Sequence, residues 1–206
     1  MEFKEVLSKR VSIRAFKDEE VPTQVLEELV LRAGLAPSIN NSQPWKFIAI
    51  KNKEILLTMS ELVHKKIREM FPTETDENVV NTVDKFSTFF GNAPAVIAVL
   101  NKPYEAIVDS ILDKTDYSQY DVNRLRNYPN VQTIGAAIEH IILSAFDLGY
   151  GSCWLTGLLI ARDEIENLLG IEEPYNLAAC VAIGKPTGYV NPKAKKPLSE
   201  IFQIIE

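Results

Sequence analysis

Apolar residues recur at helical spacing over several stretches of the chain. Between Thr23 and Leu35 the apolar positions 25, 26, 29, 30 and 33 form one stripe, and Pro22 suits the entrance of a helix that ends near Gly34. The same kind of spacing predicts helices over residues 2–10, 53–70, 131–148 and 162–169.

Short apolar runs bounded by turn residues predict strands at residues 47–50, 95–100, 151–156 and 177–183. Residues 11–16 alternate in character, as an extended segment does, and a turn follows at 17–20. Because helices and strands do not alternate regularly, the pattern favours an α+β fold over a doubly wound parallel sheet. No linker or repeat interrupts the sequence, so residues 1–206 are expected to form a single domain.

Two regions of the pattern leave alternatives open. The helix at 131–148 is too apolar for a one-sided surface helix, so it is either the central helix or a dimer face. Residues 71–130 combine a charged helical stretch with an irregular part that carries several tyrosines. Phe86, Phe89 and Phe90 in this region could cover a ligand, although a role in the core is the expected one.

Charge and composition exclude several classes of protein. The chain has 22 basic and 28 acidic side chains, a net charge of -6, and basic residues that are mostly scattered, which argues against general binding to nucleic acid or membrane surfaces. Cys153 and Cys180 have no metal-binding spacing, and they suit a reducing compartment. The N-terminus lacks the features of a signal peptide, and no apolar run is long enough to span a membrane. We therefore expect a cytoplasmic protein without a metal site.

Arg10, Ser12 and Arg14 stand at a spacing of two residues near the N-terminus. In an extended segment the three side chains point to one side, where two guanidinium groups and a hydroxyl suit a phosphate. The alternative is a solvated basic patch at the end of a helix. Without further support, the motif does not decide between them.

A second polar stretch, PSINNSQPW at 37–45, concentrates side-chain amides between two prolines. Amides donate and accept hydrogen bonds, so the loop suits the edge of a ring that carries both kinds of group. The same residues could instead form only a turn that leads into the next strand. His64 and His140 are expected to serve a helix surface or a core hydrogen bond, and neither a Rossmann motif nor a P-loop is present.

Taken together, RxSxR at 10–14 and PSxxNxQPW at 37–45 resemble the FMN-dependent nitroreductases. Further segments follow in that family's order: LGYGSCW at 148–154 with Thr156 and Gly157, AIGKP at 182–186, and KxKKPL at 193–198. The resemblance spans nearly the whole chain and implies a mostly antiparallel central sheet, helices around it and an intertwined homodimer. The sequence departs from the family at Val11, where a second basic residue is common, and at Thr133, where an asparagine is common.

The resemblance also implies roles for particular residues. Arg10, Val11, Ser12 and Arg14 of one subunit would hold the phosphate, ribityl chain and pyrimidine edge of FMN, with Lys193 and Lys195 near the phosphate. Leu155, Thr156 and Gly157 would approach flavin N5. The loop of the other subunit would add Pro37, Ser38, Ile39, Asn41 and Gln43, so that the cofactor sites lie at the dimer interface.

The activity implied is hydride transfer from NADH or NADPH to a small electron-poor acceptor, by a ping-pong mechanism. Because the cofactor supplies the chemistry, no side chain is assigned as catalytic. A nitro compound, a quinone or a flavin could be the acceptor. Other possibilities are a specialised dehalogenase or heterocycle oxidase, a binding module without turnover, and a structural dimer that has lost the cofactor. The sequence leaves open the choice between NADH and NADPH.

Overall fold

The computed structural model describes residues 1–206, apart from the side chains of residues 107, 108, 111 and 113. The helices are α1 (Phe3–Lys9), α2 (Thr23–Ala33), α3 (Lys53–Met70), α4 (Glu77–Thr88), α5 (Gln119–Leu125), α6 (Pro129–Asp147), α7 (Arg162–Leu169) and α8 (Leu198–Ile201). The strands are β1 (Trp45–Ile50), β2 (Ala95–Asn101), β3 (Gly151–Leu155) and β4 (Asn176–Gly184). Short 3-10 turns cover Ile39–Asn41, Phe89–Asn92, Ile107–Lys114 and Gly157–Ala161.

The four strands form one antiparallel sheet in the order β1-β2-β4-β3. β1 and β3 are therefore the edge strands. The segment that follows α1 lies along the open side of β3, where Ser12 and Ser152 form an isolated parallel bridge. The Ile13 N–H donates to the Ser152 carbonyl at 2.9 Å, so the chain between α1 and α2 extends the sheet by a short contact.

Each face of the sheet carries an apolar cluster, because side chains alternate between the two faces of a strand. Val96, Ala98 and Leu100 of β2 pack toward α3, α7 and the turn at 157–161. Ala95, Ile97 and Val99 pack toward α2 and α6. All seven residues of β2 are buried, as expected for a strand covered by helices on both faces.

Helix α6 is the central helix of the second layer. Its side chains Ala137, Ile138 and Ile141 are fully buried, and the helix contacts α2, β2, β3 and β4. The apolar pattern of this segment thus reflects burial against the sheet within one chain. The fold thus contains the central helix, one of the two alternatives that the sequence left open.

The α+β fold predicted from the sequence is confirmed, and most element bounds agree within two residues. Helix α3 has the predicted bounds, whereas β1 begins at Trp45 instead of Phe47 because Trp45 still pairs with Asn101 of β2. Residues 11–16 are extended but lie outside the named strands, with bridges at Ser12 and Phe16. Within the described part of the chain, none of the helices combines the length and the apolarity needed to cross a membrane.

The contact between the extended segment and β3 depends on a glycine. A Cβ at Gly151 would lie 2.8 Å from the Cβ of Ile13, which sits too close to the backbone to turn away. We predict that Gly151→Ala lowers the free energy of unfolding by about 1–3 kcal/mol through overpacking. Gly188→Ala is the matched control, because a Cβ there has no neighbour within 4 Å. Urea unfolding of both variants checks this, and equal midpoints would contradict the predicted clash.

Candidate functional site

A cationic cavity of about 270 Å³ lies where the extended segment after α1 meets the chain beyond β4. Of the residues predicted to bind a cofactor, this cavity contains Arg10, Val11, Ser12, Arg14, Lys193 and Lys195. The remaining lining residues carry no charge: Leu7, Ser8, Val190, Asn191 and Pro192. Among the described lining residues there are four cations and no carboxylate, so the cavity favours an anion such as a phosphate.

The fold holds the arginine segment in place from two sides. On one side, the bridge between Ser12 and Ser152 fixes the segment along β3. On the other side, the guanidinium carbon of Arg14 lies 5.8 Å from the ring centroid of Phe86 in α4, at a cation–π distance. Within the described residues neither Arg10 nor Arg14 forms an ion pair with a carboxylate, so both charges are available to a ligand.

Val11, which the family resemblance placed among the cofactor contacts, lies between the alternating residues Arg10 and Ser12. Val11 also lines the cationic cavity, and it lines an adjoining apolar cavity of about 420 Å³ as well. The reason is local: the Arg10 N–H still bonds to the Val6 carbonyl at the end of α1, so the strand-like alternation begins only after Arg10.

Cys153 lies close to this segment but is not suited to be a nucleophile. Burial raises the pKa of the Cys153 thiol, and the nearby Arg14, Ser12 hydroxyl and Arg10 offset this only in part. Burial also raises the pKa of Cys180 to about 12. Both thiols therefore stay protonated at neutral pH, and they are free and buried.

The segment from Leu155 to Gly157 follows directly on β3 and approaches the same helix, α4. Leu155 is buried, whereas Thr156 and Gly157 are exposed. A Cβ at Gly157 would lie 3.1 Å from the Ser87 hydroxyl oxygen, so the absence of a side chain permits close packing against α4. Because Phe86 contacts Arg14 and Ser87 contacts Gly157, one end of α4 brings these two predicted segments together.

The amide-rich loop has an unusual backbone. Asn40, Asn41 and Gln43 all have positive φ, at 49°, 52° and 44°. Within the loop the Gln43 N–H donates to the Ser38 hydroxyl at 3.2 Å, and the Gln43 side-chain amide donates to Asn41 Oδ1 at 3.2 Å. Pro37, Asn41 and Gln43 are exposed, so the loop presents amide groups outward.

Two side chains outside the loop hold it to the rest of the protein. The Asn40 amide donates to the Tyr104 hydroxyl at 2.7 Å, and the Ile39 N–H donates to the Thr133 hydroxyl at 3.3 Å. Sequence reasoning noted Thr133 only as a departure from the family and gave Tyr104 no role. Neither partner could be found from local spacing, because each lies more than 60 positions away along the chain.

Within one chain, the loop and the arginine segment lie at opposite corners of the sheet. The segment flanks β3 and the loop precedes β1 at the other edge, four strand spacings away, which is roughly 19 Å. The pairing of β2 with both neighbours places Ser152 level with the Ile50 end of β1, whereas the loop joins the Trp45 end. This adds roughly 17 Å along the strands, for a total separation on the order of 25 Å.

The other side chains considered in the sequence have structural surroundings. Phe90 is fully buried and Phe89 packs against the core, as expected, but Phe86 is 56% exposed beside Arg14. The His140 ring nitrogen Nδ1 lies 2.9 Å from the Arg32 carbonyl oxygen, whereas His64 pairs with Asp84 on the surface. Gln132 donates to the Asn127 carbonyl at 2.8 Å. Among the described residues, no cluster of three or more His, Cys, Asp or Glu could hold a metal ion.

Proteins related to this chain in sequence include two with enzyme names. A provisionally named NADH dehydrogenase/NAD(P)H nitroreductase of Archaeoglobus fulgidus is 32% identical over 181 residues, which cover 86% of this chain and 81% of that protein. An iodotyrosine deiodinase of Hydra vulgaris is 26% identical over 204 residues, covering 95% of this chain and 70% of the deiodinase.

Solved structures have the same fold. A BluB-like flavoprotein from Clostridium difficile 630 superimposes with a TM-score of 0.89 at 34% identity, with both chains covered completely. A nitroreductase with bound FMN from Desulfitobacterium hafniense gives a TM-score of 0.77 at 22% identity, covering 100% of this chain and 99% of that one. The model of the Nitroreductase family matches residues 7–185. This chain belongs to the nitroreductase family.

Proposed function

We propose that this protein binds FMN and transfers hydride from NADH or NADPH to a small electron-poor acceptor. The observation that carries the proposal is the cavity in which Arg10, Arg14, Lys193 and Lys195 meet without a neutralising carboxylate. A phosphate monoester is the part of FMN that such a cavity suits, because guanidinium and ammonium groups donate charge-assisted hydrogen bonds to its oxygens. The family, the FMN bound in the Desulfitobacterium hafniense nitroreductase and the similarity to a BluB-like flavoprotein support the same cofactor.

In this proposal the residues of one chain hold the phosphate end and the reactive edge of FMN. Arg10, Ser12, Lys193 and Lys195 contact the phosphate, and Val11 packs against the ribityl chain. Arg14 reaches the pyrimidine edge, where a positive charge stabilises the electron-rich reduced ring. The backbone of Leu155, Thr156 and Gly157 would lie beside flavin N5, where an N–H donor steadies the reduced ring.

The bound flavin supplies the hydride chemistry, and the protein supplies binding, orientation and exclusion of water. The nicotinamide and the acceptor occupy the same place in turn, which gives ping-pong kinetics. No side chain of this chain needs to act as a nucleophile. The proposal treats residues 1–206 as one FMN-binding unit in the cytoplasm, in keeping with the free thiols of Cys153 and Cys180.

A homodimer is part of the proposal, because the loop residues Pro37, Ser38, Ile39, Asn41 and Gln43 are too far from their own arginine segment. A second copy can bring its loop to that segment. Exposed apolar side chains in two places supply a surface for this association. One group lies around the cavity between α1, α2 and α6 or on the helices beside it: Phe3, Leu7, Leu31 and Leu35. The other group lies in the C-terminal segment: Leu198, Ile201, Phe202, Ile204 and Ile205. Large apolar side chains that stay exposed together on a folded chain are typical of association sites.

A second candidate function is reductive dehalogenation, favoured by the similarity to the Hydra vulgaris deiodinase over 95% of this chain. It uses the same FMN site and differs in the acceptor, a halogenated phenol. The first experiment therefore has to test the cofactor and the acceptor separately.

We predict that anaerobic NADH or NADPH bleaches the visible absorption of the FMN-loaded protein. A quinone or a nitroaromatic compound then restores the colour within the assay time, whereas an iodinated phenol does so only if the protein is a dehalogenase. Colour that persists with both nicotinamides would contradict the proposed electron donor and favour a binding module without turnover. A protein that takes up no FMN would reject the cofactor.

We predict that Arg10→Ala weakens FMN binding roughly tenfold to a hundredfold, the range for one hydrogen bond to a charged group. The thermal midpoint of the cofactor-free protein should stay near that of the wild type, because the substitution opens no core. Lys4→Ala is the control, since Lys4 is an exposed cation at the N-terminal end of α1, away from Arg10, and does not line the cavity. Fluorescence titration with FMN at two salt concentrations measures the effect. Wild-type affinity in Arg10→Ala would reject the phosphate role.

We predict that light scattering gives the mass of two chains, and that Leu35→Glu lowers dimerisation and FMN retention together. Leu35 is 78% exposed on the apolar surface beside α1 and α6, so a carboxylate there disfavours a buried interface. Leu57→Glu is the control, because Leu57 is 40% exposed on α3 in the other helical layer. A wild-type monomer that retains FMN would contradict the shared site.

A further inference from the structure

Tyr104 is a buried aromatic residue in a segment to which the sequence assigned no role. It lies three positions after β2 and is only 5% exposed. Its hydroxyl oxygen accepts the 2.7 Å hydrogen bond from the Asn40 side-chain amide. The phenol therefore connects the middle of the chain to the amide-rich loop.

The loop requires such a connection because its backbone is unfavourable. Asn40, Asn41 and Gln43 have positive φ, a conformation that non-glycine residues adopt rarely and asparagine only somewhat more readily. The hydrogen bonds from Gln43 to Ser38 and Asn41 stay within the loop, so they do not fix its position on the protein. The contacts of Asn40 with Tyr104, of Ile39 with Thr133 and of the Pro44 carbonyl with the Lys102 N–H do so.

The bond to Tyr104 also separates the tasks of neighbouring amides. All three residues are exposed, but the Asn40 amide bonds to the phenol, whereas Asn41 and Gln43 bond to each other. With Asn40 bonded to Tyr104, Asn41 and Gln43 are the amide side chains of the loop that, among the described residues, have no partner outside it. Three amide side chains within residues 40–43 can therefore have different roles, one in holding the loop and two in contacting a ligand.

We propose that Tyr104 is a positioning residue, which acts through Asn40 to hold Asn41 and Gln43 in the geometry that binds the flavin ring of the partner subunit. This inference rests on the proposed function, since it assumes that the loop contacts FMN. Tyr104 itself need not contact the cofactor. Removal of its hydroxyl loosens the loop and leaves the phosphate cavity of Arg10 and Lys195 unchanged.

The experiment compares Tyr104→Phe with Tyr117→Phe in the full-length FMN-loaded protein. Both changes remove one phenol hydroxyl from the stretch between β2 and α5, but Tyr117 is 57% exposed. For Tyr104→Phe we expect FMN to bind roughly twofold to tenfold more weakly, the range for one neutral hydrogen bond. The reduction potential and visible spectrum of the bound flavin should also shift, which a general loss of stability would not produce. Tyr117→Phe should match the wild type.

A double-mutant cycle with Asn40→Ala isolates the proposed bond. If Tyr104 acts through Asn40, the two substitutions together weaken FMN binding no more than Asn40→Ala alone, since Asn40→Ala removes the same bond and also places alanine at a positive φ. Fully additive losses would overturn the proposal, as would wild-type FMN affinity and potential in Tyr104→Phe. Thr133→Val removes the other side-chain anchor of the loop, so it should also weaken FMN binding. This variant tests the positioning of the loop if Tyr104→Phe folds poorly.

The outcomes also separate this inference from the proposed function. If Arg10→Ala and Asn41→Ala weaken FMN binding but Tyr104→Phe does not, only the positioning role is overturned. If FMN binding is insensitive to Arg10→Ala and Asn41→Ala as well, the proposed cofactor site is wrong, and the role of Tyr104 is rejected with it.

Discussion

The candidate site depends first on the pairing of the segment after α1 with the open edge of β3. The bridge between Ser12 and Ser152 holds the segment that carries Arg10 and Arg14 as one side of the cationic cavity. The close contact of Gly151 with Ile13 sets how near this segment can lie to β3. β3 ends at Leu155, and the chain then leads directly to Thr156 and Gly157. One edge strand therefore sets the distance between the anion-binding cavity and the backbone proposed to meet the reactive part of the ligand.

The order of the strands also keeps the amide-rich loop of a chain away from its own arginine segment. Because β1 and β3 are opposite edges of a four-stranded sheet, the loop before β1 lies on the order of 25 Å from the arginine segment. A single small ligand that contacts both must lie between two chains. The proposed dimer thus rests on the sheet geometry and the proposed ligand together, and the exposed apolar side chains around α1 and in the C-terminal segment are the surface that it would bury.

Local pattern predicted the elements well because periodicity and turn residues are local properties. Helix α3 was predicted with its observed bounds, and the four strands were found within two residues at either end. The meeting of Arg10 with Lys195 came only from the family resemblance, since no local signal joins positions so far apart. The bond between Asn40 and Tyr104 was missed for the same reason, and Phe86 was assigned to the core because exposure beside Arg14 is a tertiary property.

Residues 71–130, which the sequence left uninterpreted, support both the arginine segment and the amide-rich loop of the proposed site. Its helix α4 contacts Arg14 through Phe86 and Gly157 through Ser87, whereas Tyr104 holds the loop that is proposed to reach the partner subunit. The motifs carry the proposed cofactor contacts, whereas this stretch holds the arginine segment and the amide-rich loop in place. Substitutions in it can therefore change the space beside the proposed flavin without altering the motifs, which is why those motifs alone do not identify the acceptor.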